Sequence, residues 1–486
     1  MASRPHGRDL TVGRIGPTLL AFALPTLISS ILQSLNGTIN AIWVGRFLGE
    51  NALAATSNAN MIMFLLMAFV FGFGMAATVL IGQAFGRRDV DGARQVIGTA
   101  VGFFLFVAAA IAILGWVFSP ALLKLLATPA GAAPLALAYL RVIFISIPAI
   151  LILVLLMMGM RGAGDAMTPL WFMIVAVVLD SGLNPVFILG LGPAPRMGIA
   201  GSATATVIAN YAALIGLVIY IYARDLPLRL RGRELRYLVC NRDLLKTIIV
   251  KGVPMGLQMI VISGSALALI GLVNRQGVDT TAAFGVAMQL WTYLQMPAMA
   301  LGAAVSAMAA QNIGAGKWDR VSSITRSAIG FTLLITGVLV VLLAFADRPA
   351  LALFLGGHSP ALPIARHIQL LATWSFLLMG VTMVLFGTVR ANGAVLGPLI
   401  ILAIGLIPVR LGFALGAYPW LKADALWISF PVSSLANVSM AIAFYLQGGW
   451  RKARMGFERH APLDENEAVE EALAEAEPGG RLNPAG

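Results

Sequence analysis

Asp180 is an ionisable residue in the middle of the long apolar segment VAVVLDSGLNPVFIL. A charged side chain at the centre of a membrane helix costs roughly 2.5–3.5 kcal/mol on insertion scales. No other acidic residue of the sequence lies deep within a predicted span. Because a carboxyl in such a place can take up a proton on one side of a membrane and release it on the other, Asp180 is our candidate for coupling an ion to transport.

Polar side chains at helical spacing recur in apolar sequence around this carboxyl. Asn184 follows Asp180 by four residues and therefore shares its helix face. The other candidates for an ion site, on two further apolar segments, are Asn36, Asn40, Thr204, Thr206 and Asn210. Oxygens of this kind can hold a protonated carboxyl or a Na⁺ ion. The alternative is that these groups only join helix to helix by hydrogen bonds.

The composition is that of a polytopic membrane protein. Of the 486 residues, 59% are hydrophobic and 11% are charged, whereas soluble chains carry about 25% charged residues. The mean hydropathy is +0.88, and apolar runs of membrane-spanning length recur along the whole chain. We predict an all-α fold with twelve transmembrane helices, at residues 15–43, 52–81, 95–118, 136–160, 167–190, 199–223, 245–272, 281–309, 323–346, 365–388, 395–417 and 424–447.

Basic residues beside the predicted spans indicate their orientation. They concentrate before span 1, after spans 2 and 8, between spans 6 and 7, and after span 12. The positive-inside rule then places both termini in the cytoplasm, with the protein in the inner (cytoplasmic) membrane of a cell. For the same reason the net charge of +12 indicates contact with membrane lipid headgroups and no nucleic-acid partner.

An internal repeat divides the spans into two halves. PTLISSILQ (25–33) is matched by PMGLQMIVI (254–262), 229 residues later, and RGAGDAMTP (161–169) by RANGAVLGP (390–398). Six spans per half give both halves the same orientation, which is typical of transporters that rock two bundles about a central site. The predicted parts are an N-terminal segment (1–14), an N-lobe (15–223), an inter-lobe loop (224–244), a C-lobe (245–447) and an acidic cytoplasmic tail (448–486).

The sequence lacks the motifs of ATP-driven pumps and of common membrane enzymes. It contains no P-loop, HExxH or GxSxG pattern, and its four histidines show no metal spacing. The single cysteine, Cys240, has no partner for an internal disulfide. We therefore expect a protein that is not an enzyme, with no catalytic residue, no cofactor and no metal site apart from Na⁺ at Asp180 as one coupling option.

Several motifs follow one another in a fixed order: IWVGRFLGENALAA (42–55), GQAFGRRDVDGAR (82–94), RGAGDAMTP, AQNIGAGKWDR (310–320) and FPVSSLANV (430–438). This order resembles the multidrug and toxic compound extrusion (MATE) family, part of the multidrug/oligosaccharidyl-lipid/polysaccharide flippase superfamily. The resemblance implies two pseudo-symmetric six-helix bundles around a central cavity, and efflux driven by H⁺ or Na⁺. It also implies that Gln33, Asn36 and Asn40 of span 1 lie beside Asp180.

The sequence departs from the family pattern at the positions where coupling chemistry is expected. Many relatives carry an acid where Asn40 stands here, and read Asn-x-x-Leu-Asp-Pro where Asp180 and Asn184 stand in exchanged order. The acids that other relatives have in spans 7 and 10 are missing as well, with Ile262 at the first of these positions. Coupling in this chain is therefore expected to depend on Asp180.

Methionine, aromatic and amide side chains of spans 7 and 8 are candidates for a substrate site, because such surfaces adapt to varied amphiphiles. The alternative is that they pack in the core or face lipid. The candidates from these spans are Gln258, Met288, Gln289, Trp291, Tyr293, Gln295, Met296 and Met299, and Gln33 of span 1 and Arg410 of span 11 are added to them. Arg410, in the middle of span 11, corresponds to Ser181 in the repeat, and either pairs with Asp180 across the cavity or binds within its own lobe.

Our main prediction is a secondary active multidrug efflux transporter that works as a monomer by alternating access. It would exchange organic small molecules, cationic or amphipathic, for H⁺ (the preferred ion) or Na⁺. An alternative within the same superfamily is a lipid-linked saccharide flippase. An alternative of another class is a membrane channel or a non-transporting receptor.

Overall fold

The computed structural model describes residues 9–125, 128, 131–192, 194–356 and 358–456. Within these residues, twelve helices are long and apolar enough to cross a membrane, which confirms the twelve predicted spans. Residues 1–8 and most of the predicted acidic tail, from residue 457 onward, lie outside the described residues.

The helices extend somewhat beyond the predicted spans at most of their ends. We number them in chain order, as follows: α1 Ile15–Leu48, α2 Glu50–Gly86, α3 Val90–Leu125, α4 Ala133–Gly162, α5 Met167–Leu189, α6 Ile199–Ala223, α7 Arg242–Asn274, α8 Val278–Gly314, α9 Trp318–Phe345, α10 Ala361–Arg390, α11 Leu396–Gly416 and α12 Asp424–Gln447. A short helix, Asp347–Leu355, precedes α10, and a 3₁₀ helix, Gly232–Leu238, precedes α7.

Tight connections at glycines reverse the chain between helices. Gly49 has φ 82° between α1 and α2, and Gly190 has φ 73° at the end of α5, a backbone conformation that glycine adopts without steric cost. Because consecutive helices run antiparallel, α1 begins and α12 ends on the same side of the bundle. We call this side the terminal face and the opposite side the distal face.

The helices form two lobes, α1–α6 and α7–α12, that meet most closely at the terminal face. Gln83 of α2 donates to the carbonyl of Ala391 (2.7 Å), and Gln311 of α8 donates to the carbonyl of Gly162 (3.0 Å). These two bonds occupy equivalent places in the two repeats. Among the described residues, all hydrogen bonds found between the lobes lie at this face.

The segment before α1 reaches across to the other lobe at the same face. Leu10 is fully buried in a cluster with residues of α8 and α9. Its backbone N–H donates to Gln311 Oε1 (3.1 Å), and its carbonyl accepts from Asn312 (3.1 Å). Arg320 donates to the carbonyl of Gly13 (2.7 Å). The N-terminal segment therefore contributes to closing the bundle on the terminal side.

The loop between the lobes is anchored to α3. Arg94 forms an ion pair with Glu234 (2.6 Å), and the Tyr237 hydroxyl donates to Asp91 (2.8 Å). The described chain up to Met455 forms one compact unit, so the exact lobe boundaries given above stay a prediction.

Several transmembrane helices are interrupted within their length. Prolines lie inside α1, α5, α7 and α8, and each removes one helical hydrogen bond. In α10 a 3₁₀ turn at Thr373–Ser375 separates two α-helical parts, and α11 contains the π-helical segment Gly405–Leu411. Such π segments occur frequently at functional sites. Within α11 this irregular turn carries Arg410.

Candidate ion-coupling and substrate sites

Asp180 lies within the N-lobe on α5 and is 2% exposed. The other residues of α5 make this helix long and apolar enough to cross a membrane although it contains the carboxyl. Pro185, five residues on, has no N–H to donate to the carbonyl of Ser181, which opens the helical ladder next to the acid. The carboxyl therefore sits at an interrupted turn inside a packed lobe.

Four side chains from three helices donate hydrogen bonds to the Asp180 carboxylate. Asn36 and Asn40 of α1 donate to Oδ2, at 2.8 and 2.9 Å. Thr206 of α6 donates to Oδ1 at 3.0 Å, and Asn184 of α5 donates more weakly to Oδ1 at 3.3 Å. Hydrogen bonds to a charged group contribute roughly 1.5–3 kcal/mol each. The carboxylate therefore ties α1, α5 and α6 together.

A second layer of contacts orients these donors. Asn184 Nδ2 also donates to Asn40 Oδ1 (2.8 Å) and to the carbonyl of Asp180 (3.1 Å). The Ser181 hydroxyl lies 3.4 Å from Asn36 Oδ1. Asn184 Oδ1, by contrast, is buried and has no hydrogen-bond partner. One acceptor next to the carboxyl is thus free to accept a hydrogen bond from an O–H group.

The cluster can exist in two protonation states that differ in their bonding. An ionised carboxyl offers about four lone-pair positions, all of which the four donors use. A protonated carboxyl turns one of these positions into an O–H donor, so at least one amide or hydroxyl must move away. Asn184 Oδ1 is the unpaired acceptor available for that O–H. Proton uptake would therefore rearrange the contacts between α5 and its neighbours.

The structure brings together most of the residues predicted for the ion site. Asn36, Asn40 and Asn184 contact Asp180 as described above. Thr204 and Asn210 do not, because their side chains donate to carbonyls of their own helix, those of Ala200 and Thr206, at 2.8 Å in each case. Neither residue donates to the carboxylate in this structure, and their assignment to the ion site stays a prediction. Thr206, between them, faces the acid instead.

A large cavity lies between the two lobes, apart from the Asp180 cluster. It has about 1200 Å³ of empty space, part of it open to solvent, and it is lined by α2 and α4 of one lobe and by α7, α8, α10 and Leu402 of α11 of the other. Seven methionines contribute to the wall: Met75, Met158, Met255, Met259, Met299, Met379 and Met383. Thioether side chains adapt to irregular apolar shapes, so the wall suits varied organic molecules.

The polar groups of this cavity include two arginines. Arg161 at the end of α4 and Arg390 at the end of α10 both line it, at equivalent places in the two repeats. Arg390 donates to the carbonyl of Phe386 (3.2 Å) and approaches Gln258 Oε1 (3.4 Å). None of the described lining residues is acidic. In the sequence these arginines belong to the repeated motifs but are not predicted as site residues. They lie at span ends, where a positive charge usually reflects the orientation of the chain in the membrane.

Arg410 lines a smaller pocket of about 660 Å³ that shares wall residues with the large cavity. Its guanidinium carbon lies 4.1 Å from the centre of the Phe430 ring in the same lobe, a cation–π contact. No ion pair between Arg410 and Asp180 is found among the described residues, whose four ion pairs involve other groups. In this structure Arg410 binds within its own lobe, the second of the two interpretations.

The other residues predicted for substrate binding divide between cavity and surface. Gln258 lines the large cavity and Met288 the smaller pocket. Gln289 and Tyr293 bond to each other at 3.2 Å and line neither space. Gln33 is exposed on α1 and also lines neither. Gln295 and Met299, also predicted from span 8, line the large cavity, and Gln295 lines the smaller pocket as well.

Comparisons with known proteins identify the family and the fold. The model of the MatE family matches residues 25–186 and 254–415. The two matched segments begin 229 residues apart, the spacing of the internal repeat. The chain is thus matched twice, once in each lobe.

Relatives of known name are similar over nearly their whole length. "Probable multidrug resistance protein YoeA" of Bacillus subtilis (strain 168) is 36% identical over 89% of this chain and 94% of that protein. "Probable multidrug resistance protein YpnP" of the same organism is 30% identical, over 93% and 99%. A solved structure described as "Outward-facing conformation of a multidrug resistance MATE family transporter of the MOP superfamily" has a TM-score of 0.83 at 21% identity, over 92% and 98% of the two chains.

Proposed function

Because the chain belongs to the MatE family of multidrug and toxic compound extrusion transporters, we propose that it exports small organic molecules in exchange for H⁺. A transporter of this family is a multi-pass membrane protein and not an enzyme. The names of the two Bacillus relatives support multidrug efflux as the activity. The proposal adds the coupling ion, the residue that binds it and the place of the substrate.

The hydrogen-bonded Asp180 is the observation that carries the coupling proposal. A buried acid inside a membrane helix is costly, so its retention favours a functional role. Its four donors come from α1, α5 and α6, so loading a proton changes the contacts of helices that also form the lobe. A bound ion can shift the balance between two conformations only by binding them with different affinity, and a rearranging cluster provides that difference.

The arrangement of the donors supports H⁺ over Na⁺ as the coupling ion. Both carboxylate oxygens already accept two hydrogen bonds each. A Na⁺ ion would require several amides to turn their oxygens inward at once. A proton requires one donor to move, and Asn184 Oδ1 is an unpaired acceptor beside the carboxyl. We therefore place the proton on Asp180.

Closure at one face supports alternating access with this structure as one of its states. The lobes are joined by hydrogen bonds at the terminal face, where the basic loops of the chain lie. If the positive-inside rule holds, the terminal face is cytoplasmic and both termini are inside. The cavity between the lobes would then receive substrate after this closure opens, with the protein acting as a monomer in the cytoplasmic membrane.

One observation favours a flippase as a second candidate function. Lipid-linked saccharides carry anionic phosphates, and the cavity contains Arg161 and Arg390 without an acidic residue among its described lining. The methionine-rich wall fits an acyl or polyprenyl chain as well as a drug-like ring system. The two functions differ in whether the transported molecule comes from the bilayer or from solution.

Dye efflux from proteoliposomes tests the proposed function. The protein is reconstituted, liposomes are loaded with rhodamine 123 or fluorescein, and H⁺ and Na⁺ gradients are imposed separately. We expect an inward-directed H⁺ gradient to accelerate the loss of at least one dye over protein-free liposomes, and a Na⁺ gradient to have no effect. Acceleration by Na⁺ alone would contradict the assigned ion, and no response to either gradient would contradict secondary transport of these compounds.

A further inference from the structure

The charge of the central cavity differs from the charge expected for a site that exports organic cations. Arg161 and Arg390 are the ionisable side chains among its described lining residues. The acid of the ion site, Asp180, belongs to a separate cluster and is 2% exposed, so it does not offset them. An organic cation entering the cavity would meet two positive charges of the protein and no negative one.

The two arginines have few partners of their own. Among the described residues, none of the four ion pairs includes either of them. Arg161 Nε is buried without a hydrogen-bond partner, and Arg390 contacts only the carbonyl of Phe386 and the amide oxygen of Gln258. Burying an uncompensated charge costs several kcal/mol in general. A bound anion would compensate both guanidinium groups at once.

The remaining wall defines the rest of the ligand. Seven methionines and two phenylalanines, Phe71 and Phe376, are nine of the 20 described lining residues. Such a surface gains by covering an apolar or aromatic body. Gln258 and Gln295 add amides that can bond to polar substituents. The position of the arginines at the helix ends places the anionic group towards the terminal face.

We infer that the cavity binds amphipathic organic anions, with the acidic group held by Arg161 and Arg390 and the apolar body against the methionines. This assignment deepens the proposed export function by naming its substrate class, and it rests on that function for its physiological meaning. It replaces the cationic substrates expected from the sequence. Arginine suits the role because its planar fork binds carboxylate, sulfonate and phosphate oxygens in pairs.

Equilibrium binding of two related dyes tests the inference without any gradient. Fluorescein, a dianion at mildly alkaline pH, and rhodamine 123, a cation, share a xanthene ring system. Each is titrated by fluorescence anisotropy against the purified protein in nanodiscs of zwitterionic lipid, with empty nanodiscs subtracted. We expect fluorescein to bind at least about tenfold more tightly than rhodamine 123. Tighter binding of rhodamine 123 by the wild-type protein overturns the inference.

Variants of the two arginines locate the site. Replacing both, as Arg161→Gln with Arg390→Gln, should weaken fluorescein binding by at least about tenfold and leave rhodamine 123 binding unchanged or tighter. Arg161→Lys with Arg390→Lys should restore most of the preference for the anion, because the charge is kept. The control is Arg141→Gln in the same helix α4, whose guanidinium lies over the Trp116 ring and lines no part of the cavity.

The melting temperature of each variant shows whether it is folded. If the double Gln variant does not fold, the comparison of the two dyes on the wild-type protein and on the Lys variants still decides the question. Fluorescein binding that is unchanged in a folded double Gln variant overturns the inference. Because binding is measured without a gradient, a failure of proton-driven export leaves this result intact, and proton-driven export of rhodamine 123 alone would overturn the inference but not the proposed function.

A lipid arm identifies the source of the anion. The titration is repeated in nanodiscs that contain phosphatidylglycerol. If phosphatidylglycerol weakens fluorescein binding to the wild-type protein but not to the double Gln variant, an anionic lipid headgroup is supported as the ligand. Unchanged fluorescein affinity supports a soluble organic anion.

Discussion

At the scale of single residues, the ion site is defined by which hydroxyls and amides point at one carboxyl. Thr204 and Thr206 lie two residues apart on α6, yet only Thr206 donates to Asp180, at 3.0 Å. Thr204 donates to the carbonyl of Ala200 in its own helix. The two threonines therefore form a matched pair, in which the same chemical change removes a contact to the acid in one case and leaves the acid untouched in the other.

Thr206→Val is expected to change the pH dependence of transport. The Thr206 hydroxyl donates to the carboxylate, so its loss removes one of the four hydrogen bonds that the ionised side chain accepts. A hydrogen bond to a charged group contributes roughly 1.5–3 kcal/mol, which corresponds to an upward shift of about one to two pH units in the midpoint of transport. The measurement is the rate of dye efflux from proteoliposomes as a function of pH.

Thr204→Val is the control for this prediction and should keep the wild-type midpoint. A midpoint that is the same for Thr206→Val as for the wild type, or that moves for Thr204→Val alone, would show that the hydrogen bond to Asp180 does not set the pH dependence.

Sequence reasoning could find the acid but not all of its partners. The insertion cost of a buried carboxylate singles out Asp180 in any reading of the chain, and a spacing of four places Asn184 on its helix face. The rotation of α6 about its axis is set by packing against α5, which no local pattern in the sequence records. The sequence therefore predicts Thr204 and Asn210 for the site in the same way as Thr206. Only the packing of the helices shows that Thr206 alone of the three donates to Asp180.

At the scale of helices, the contact between α2 and α8 closes the terminal face. A Cβ atom placed on Gly86 would overlap the backbone of Gln311, and one on Gly314 would overlap the backbone of Gln83. The same two glutamines form the equivalent hydrogen bonds to Ala391 and Gly162. The two lobes are thus in close contact at Gly86 and Gly314. Hydrogen bonds at equivalent positions of the two repeats, from Gln83 and Gln311, join the lobes beside these glycines.

Gly86→Ala is expected to weaken this closure. Overpacking of a tight interface typically costs about 1–3 kcal/mol, and here the added methyl group meets backbone that cannot rotate away. We expect faster amide hydrogen exchange in the segments around Gln83 and Gln311 than in the wild-type protein. The contact lies between the lobes, so the exchange of helices far from the terminal face should change little.

Gly330→Ala provides the control, since a Cβ atom there meets nothing within 4 Å. The Gly330→Ala substitution should leave the amide hydrogen exchange of the segments around Gln83 and Gln311 unchanged. It should stabilise α9 slightly or not at all, because alanine favours a helix over glycine by about 0.5–1 kcal/mol. Equal exchange rates in Gly86→Ala and the wild type would indicate that the two helices do not close this face in solution.

The order of the helices follows from the sequence more fully than their irregularities do. Apolar runs of membrane-spanning length fix the number of spans, and paired motifs such as those at Arg161 and Arg390 fix the repeat. The π-helical segment of α11 has no comparable signature beyond Pro408 inside it. Its geometry depends on packing against α12, where Arg410 finds the ring of Phe430.

At the scale of the whole molecule, the Asp180 cluster proposed for the ion and the cavity proposed for the substrate are separate. Asp180 accepts hydrogen bonds from α1, α5 and α6, whereas the cavity is lined by α2, α4, α7, α8, α10 and α11. Direct competition of proton and substrate for one carboxyl is therefore not the coupling mechanism that this arrangement favours. Coupling would instead act through the helices, with proton uptake changing how α1 packs in its lobe and the lobe changing its contacts at the terminal face.

The separation of the two sites also explains how opposite charges can serve one transport cycle. In the proposed cycle the Asp180 carboxyl binds a proton within one lobe, while Arg161 and Arg390 present positive charge in the cavity between the lobes. The sequence does not show that the two sites carry opposite charges, because Arg161 and Arg390 resemble the basic residues that flank many membrane spans. This difference emerges only when the repeat is folded and both helix ends reach the same cavity.

The central claim is that Asp180 couples transport to protons, and proton-driven efflux by Asp180→Asn tests it most directly. The asparagine keeps the shape of the side chain but cannot take up a proton. The control is Asp279→Asn, which changes an exposed acid in the first turn of α8. Wild-type protein and both variants are reconstituted at equal density, and dye efflux is followed under an imposed pH gradient.

We predict that Asp180→Asn, although folded and able to bind dye, loses the acceleration by the pH gradient and falls to the rate of protein-free liposomes, while Asp279→Asn keeps the wild-type rate. A folded Asp180→Asn protein that responds to the pH gradient as the wild type does would contradict the account.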